Sequence, residues 1–130
     1  MTIQFLTEQW ADAVTTAANK DEKFRAAAKG HELVLQVAVS DSPQSSEYYM
    51  HFDNGTLDVR IGPAPSTPDV RAEMTYETNV ALSKGELNGQ TAAMTGRMKA
   101  EGDMLKMMSV AKAQDRLAQI ESALDLAYQL

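Results

Sequence analysis

Between residues 31 and 77 apolar side chains return at every second position, in four separate runs, and this period constrains the fold more than any other feature of the chain. In His31–Val39, Leu33, Leu35, Val37 and Val39 alternate with Val34, Gln36 and Ala38. In Glu47–Asp53, Tyr48, Met50 and Phe52 alternate with Tyr49 and His51. Leu57, Val59 and Ile61 then alternate with Asp58 and Arg60, and Val70, Ala72, Met74 and Tyr76 with Arg71, Glu73, Thr75 and Glu77. A period of two is that of a β-strand. Each run has one apolar and one largely polar face, which fits an antiparallel or mixed sheet covered on one side and solvated on the other. Asp53-Asn54-Gly55 supplies a tight hairpin turn. The linker Gly62–Asp69 holds three of the four prolines. It reads as a rigid loop, too short to separate domains.

The segments around these strands repeat at helical spacing. Trp10, Ala13, Val14, Ala17 and Ala18 form one apolar stripe, with Thr7 as N-cap. A shorter helix starts at Asp21, carries Phe24, Ala27 and Ala28, and ends at Gly30. After Glu77 come two short helical pieces, 79–84 and 89–95, each closed by a glycine. Arg97–Glu101 alternates again and reads as a fifth strand. Asp103 is placed to cap a final helix, in which Val110, Ala113, Leu117, Ile120, Leu124 and Ala127 recur at steps of three and four. A single amphipathic helix of about seven turns is expected. The apolar strand face needs covering, and the helices supply the cover. The expected architecture is α+β: one domain over residues 1–130, with a five-stranded mixed or antiparallel sheet and helices on one face.

Composition narrows the function. The formal net charge of −6 argues against a nucleic-acid partner, whose phosphates require Lys and Arg, and against electrostatic docking on anionic membranes. The chain has no cysteine, so disulfides, thiolate catalysis and zinc–thiolate sites are excluded. Met1–Val14 has neither a basic n-region nor an apolar h-region, and no run approaches the roughly 20 apolar residues that span a bilayer. A cytoplasmic protein is expected.

The segment Leu82–Met108 holds four glycines and five of the eight methionines. Glycine marks backbone turns and close approaches, and methionine fills irregular apolar space. From the residues alone, methionine at helical spacing reads as core filling. The same segment carries a family resemblance. Ala81-Leu82-Ser83-Lys84-Gly85-Glu86-Leu87-Asn88-Gly89, followed by Thr95-Gly96-Arg97-Met98-Lys99-Ala100-Glu101-Gly102-Asp103, resembles the sterol carrier protein type-2 (SCP-2) family. There a helix ends in glycine, a leucine follows, and a small-residue helix leads to a strand closed by Gly-Asp before the last helix. The order of elements over nearly the whole chain agrees, and the Phe5…Trp10 helix resembles the opening of bacterial members. The terminal Ala127-Tyr128-Gln129-Leu130 is not a peroxisomal signal, which favours a bacterial-type, single-domain, cytoplasmic version.

The resemblance implies an apolar tunnel between sheet and helices, taking a sterol, fatty acyl chain or similar lipid, with no catalysis and no cofactor. It assigns to the tunnel Met74, Tyr76, Leu82, Leu87, Met94, Met98, Met104, Leu105 and Met108. Met107 is left out because its neighbours do not say which face it takes. The expected function is non-catalytic binding or transfer of an apolar ligand. The alternative is an accessory subunit that presents a lipid-like substrate to a partner enzyme. The partners expected are a lipid or other apolar small molecule, with a membrane or an enzyme as a transient contact, and no nucleic acid. A homodimer through Tyr49, Val34 and Ala38 on the open sheet face is a further candidate.

Other residues receive plainer readings. His31 and His51 lack companions at metal-ligand spacing, and no metal is expected. Asp103 reads as a helix cap rather than a catalytic acid. Trp10 reads as a core anchor rather than a gate, because its stripe partners are small alanines. Gly85–Gly89 lacks the Lys-Ser/Thr ending of a phosphate loop.

Overall fold

A computed structural model describes residues 2–129; Met1 and Leu130, the ends of the expected domain, lie outside it. The elements in chain order are β1 (Ile3–Gln4), α1 (Glu8–Lys20), α2 (Glu22–Ala28), β2 (Glu32–Ser40), β3 (Glu47–Asp53), β4 (Thr56–Ile61), β5 (Val70–Thr75), α3 (Tyr76–Ser83), α4 (Gly89–Met94), β6 (Met98–Gly102), α5 (Met104–Ser109), α6 (Ala111–Ala123) and β7 (Leu126–Ala127). Five strands form a mixed sheet in the order β4-β3-β2-β5-β6, with β2 and β5 parallel and the other neighbours antiparallel. The α+β architecture expected from the alternating runs is the one observed.

Register places the apolar residues in rows across the sheet. Met50 lies opposite Leu35, and Leu35 opposite Val70. Tyr48 lies opposite Val37, and Val37 opposite Ala72. Val39 faces Met74, which faces Met98. These side chains are buried against the helices. On the outer face Tyr49, His51, Val34 and Ala38 are half-buried. Gln36, also on that face, is buried by the proline-rich linker: its amide donates to the carbonyls of Tyr48 (3.1 Å) and Gly62 (3.3 Å), and its oxygen accepts from Ala64 N (2.7 Å).

The β4 edge is closed by α1. Asn19 accepts from Leu57 N (2.8 Å) and donates to Leu57 O (2.9 Å), while Thr15 Oγ1 accepts from Val59 N (2.9 Å). Side chains of a helix thus satisfy the backbone groups that an edge strand would otherwise offer to another chain. At the opposite side Gly102 sits at φ +130°, and a Cβ there would collide with Asp69 O. Only glycine fits this approach of β6 to the start of β5.

Three details differ from the sequence reading. Strand β5 stops at Thr75, whose hydroxyl accepts from Thr78 N (3.2 Å) as an N-cap, so Tyr76 opens helix α3 instead of ending a strand. The final helix is broken: Val110, fully buried at φ −104° and ψ 13°, ends α5 and caps α6, and α6 itself stops at Ala123. Leu124 and Ala127 therefore lie beyond the helix. Finally, β1 and β7 pair in parallel and tie the two ends of the chain together, through Ile3 N to Asp125 O (2.8 Å) and Phe5 N to Ala127 O (3.0 Å). Two-residue strands are too short to leave a periodic signal.

Candidate functional site

A cavity of about 360 Å³ lies between the apolar sheet face and the helices. Its floor is the row structure of the sheet: Leu35 and Val37 from β2, Tyr48 and Met50 from β3, Ala72 and Met74 from β5, and Met98 from β6. The small Ala72 in the middle of its row leaves room above the sheet. Leu82 and Ser83 of α3, Leu87 before α4, Met107 of α5 and Leu117 of α6 form the roof.

Of the nine residues assigned from the sequence, Met74, Leu82, Leu87 and Met98 come together on this cavity. Tyr76 is buried beside it and faces a neighbouring groove, where its hydroxyl accepts from Gln129 N (3.0 Å). Met94, Met104, Leu105 and Met108 stand on the surface, at 79%, 39%, 81% and 70% exposure, and do not line it. The break at Val110 and the shortness of α4 and α5 explain this. Neither helix presents more than one inward face, and on α5 that face belongs to Met107. A signal for Met107 existed: it lies three residues before Val110 and so extends the α6 stripe backwards. Met50, the fourth cavity methionine, comes from the alternating run of β3.

The inner end of the cavity is polar, which the sequence reading did not anticipate. Trp10, packed edge-on against Phe5 and Tyr48 (5.2 and 5.1 Å between centroids), is a core residue that also touches the cavity. Its Nε1 donates to Glu121 Oε1 (2.9 Å). Ser83 donates to the same oxygen (3.2 Å), and Tyr128 OH lies 2.9 Å from Ser83 Oγ. Burial raises the Glu121 carboxyl to about 7, against the two hydrogen bonds that favour its ionised form. Next to this group, Asn79 Nδ2 donates to Tyr48 OH (3.0 Å) and to Met74 Sδ (3.3 Å). Asn79 Oδ1 is buried with no hydrogen-bond partner among the described residues. Burial pushes the Tyr48 hydroxyl well above its ordinary value. The sequence signals were a glutamate four residues after Leu117 on an apolar stripe, and Asn79 and Ser83 spaced four apart on α3.

Chemically the site offers an apolar chamber with a hydrogen-bonding end. Among the described residues no three His, Asp or Glu side chains converge as metal ligands, and no helix is long and apolar enough to cross a membrane.

Residues 11–115 match the model of the SCP-2 sterol transfer family. No curated protein matches the sequence significantly. Among solved structures, a conserved hypothetical protein from Thermus thermophilus, described as a candidate sterol carrier protein, superposes with a TM-score of 0.79 at 22% identity, over 95% of this chain and 91% of its own. A crystal structure of sterol carrier protein 2 gives 0.76 at 23% identity, over 92% and 98%. A UbiJ-SCP2 ubiquinone synthesis protein gives 0.58 at 17% identity, over 82% and 86%.

Proposed function

The chain belongs to the SCP-2 sterol transfer family, and on that premise we propose that it binds and transfers an apolar ligand, held in the cavity between the sheet and helices α3, α5 and α6. The observation that carries this reading is the chamber itself. Its volume of about 360 Å³ falls within the range of small-molecule sites, and four methionines, Met50, Met74, Met98 and Met107, line it with adaptable apolar surface. Met74, Leu82, Leu87 and Met98 are its contact residues in this reading, joined by Met107. Burying about 300 Å² of ligand contributes roughly 7 kcal/mol before ordering costs.

Binding without catalysis fits the side chains present. Glu121 is the one buried carboxyl at the cavity among the described residues; its Oε1 is held by the Trp10 indole and the Ser83 hydroxyl, with no histidine lining the cavity to complete an acid–base relay. Presentation of a lipid-like substrate to a separate enzyme is the second reading. It is favoured by the match in fold to the ubiquinone synthesis protein.

The test is titration of the purified protein with a solvatochromic apolar dye, followed by displacement with sterols, fatty acids and fatty alcohols. Saturable binding near one dye per chain is expected. Absence of saturable binding to a protein shown folded by circular dichroism removes both readings.

A further inference from the structure

We propose that the inner end of the cavity is a head-group subsite that takes a neutral hydroxyl, so that the preferred ligand is a hydroxyl-bearing lipid rather than a fatty acid anion; this rests on the lipid-binding reading above. The subsite is built from Asn79 and Tyr48, with Glu121 beside them.

Asn79 is 4% exposed, and both bonds its amide nitrogen makes, to Tyr48 OH and Met74 Sδ, are donated. Its Oδ1 is left as a buried acceptor without a donor among the described residues. A native interior rarely leaves such an atom unpaired, because the desolvation cost is not recovered. Tyr48 OH accepts from Asn79, and its own proton meets no acceptor among the described residues. A buried acceptor and a buried donor thus stand on groups bonded at 3.0 Å, both on the cavity wall. One hydroxyl satisfies the pair, donating to Asn79 Oδ1 and accepting from Tyr48 OH.

A carboxylate cannot do the same. It has no proton for Asn79 Oδ1, and it would bring a second negative charge into the chamber that holds the Glu121 carboxyl. The Glu121 carboxyl is held by the Trp10 indole and the Ser83 hydroxyl. The lysine that lines the cavity, the exposed Lys84, stands over the Tyr128 ring, 5.1 Å from its centroid, and makes no ion pair with Glu121 among the described residues. Site groups built to pair with a ligand hydroxyl discriminate against analogues lacking it, because the protein's own polar atoms are then left unpaired.

The experiment compares dodecanol with dodecanoate, equal in chain length, as competitors for the bound dye at about pH 8, where the acid is ionised. Dodecanol is expected to displace the dye at a concentration about tenfold lower than dodecanoate, the effect of one well-placed hydrogen bond. In folded Asn79→Leu the ratio between the two competitors should fall to about one; because both are read against the same dye, the ratio reports the head-group preference whatever happens to dye affinity. Equal displacement by the two, or stronger displacement by dodecanoate, in the wild-type protein overturns the proposal while leaving lipid binding intact. An unchanged dodecanol preference in folded Asn79→Leu overturns it as well. Dye that fails to bind the wild-type protein overturns the underlying function. Should Asn79→Leu not fold, the wild-type comparison decides alone.

Discussion

Glu121 concentrates the chemistry of this molecule in one side chain. Its carboxyl is buried, and its pKa is raised to about 7 from an ordinary 4.5, with desolvation as the main cause. The folded state therefore holds a proton that the unfolded chain releases at lower pH. The stability linked to this group is fully present below about pH 4.5 and is lost as pH rises through about 7. The size of the effect is about 3 kcal/mol. Glu121→Gln keeps a similar shape and removes the ionisation. Its urea-unfolding free energy should fall less than that of the wild-type protein between about pH 5 and pH 8, leaving the variant the more stable at the alkaline end. Parallel stability curves for the two proteins across that window would show that Glu121 is not the titrating group.

At the scale of the element, the short helix α5 decides which methionine matters. Its cap, Asp103 Oδ1 accepting from Lys106 N (3.1 Å), starts it where expected, and the ion pair of Lys106 with Asp69 (3.1 Å) holds it against the start of β5. Asp69 in turn accepts from Val34 N (2.8 Å), and this bond together with Lys106 lowers its pKa despite partial desolvation. With α5 so anchored, Met107 points to the cavity and Met108 to solvent. Met107→Glu should weaken dye binding by at least about tenfold at neutral pH, because it places a charge against apolar surface. Met108→Glu should leave dye affinity within about twofold, the usual outcome for an exposed position. Equal losses in the two variants would mean that Met107 and Met108 contribute alike to ligand binding.

Across the whole molecule, distant segments are joined by a few specific contacts. The Arg116 guanidinium grips Asp21 through two bonds of 2.8 Å, from Nε and Nη2, and so ties α6 to the junction of α1 and α2. Asp21 also caps α2 by accepting from Phe24 N (2.8 Å). The bond to Arg116 is the main reason its carboxyl is held down at about 2. A depressed carboxylate stabilises the fold above its ordinary value of 3.8, and that contribution is lost as pH falls through about 2. Arg116→Gln should accordingly unfold at a higher pH than the wild-type protein during acid titration followed by circular dichroism. Coincident acid transitions would show that the pair adds nothing to global stability. The β1–β7 pairing acts at the same scale, since it brings Phe5 and Tyr128 within 5.0 Å beside Trp10.

The sequence by itself determined the five strands of the main sheet, the caps of α1, α2 and α5 and the class of fold, because these follow from neighbours a few residues apart. Alternation in 33–39, 48–52, 57–61 and 70–74 is visible without any partner strand, as are Thr7, Asp21 and Asp103 as helix starts. The residues around Gly85, Gly96 and Gly102 carried the family, and with it the expectation of an apolar chamber. Tertiary structure alone decided which residues meet there. Whether Met107 or Met108 faces inward depends on the kink at Val110 and on the ion pair with Asp69, a residue 37 positions earlier in the chain than Lys106. The polar end of the cavity gathers Trp10, Tyr48, Asn79, Ser83 and Glu121 from four elements. Each reads locally as an ordinary core or surface residue. Their meaning arises only when burial removes water and leaves each polar atom dependent on the partners that the fold has placed beside it.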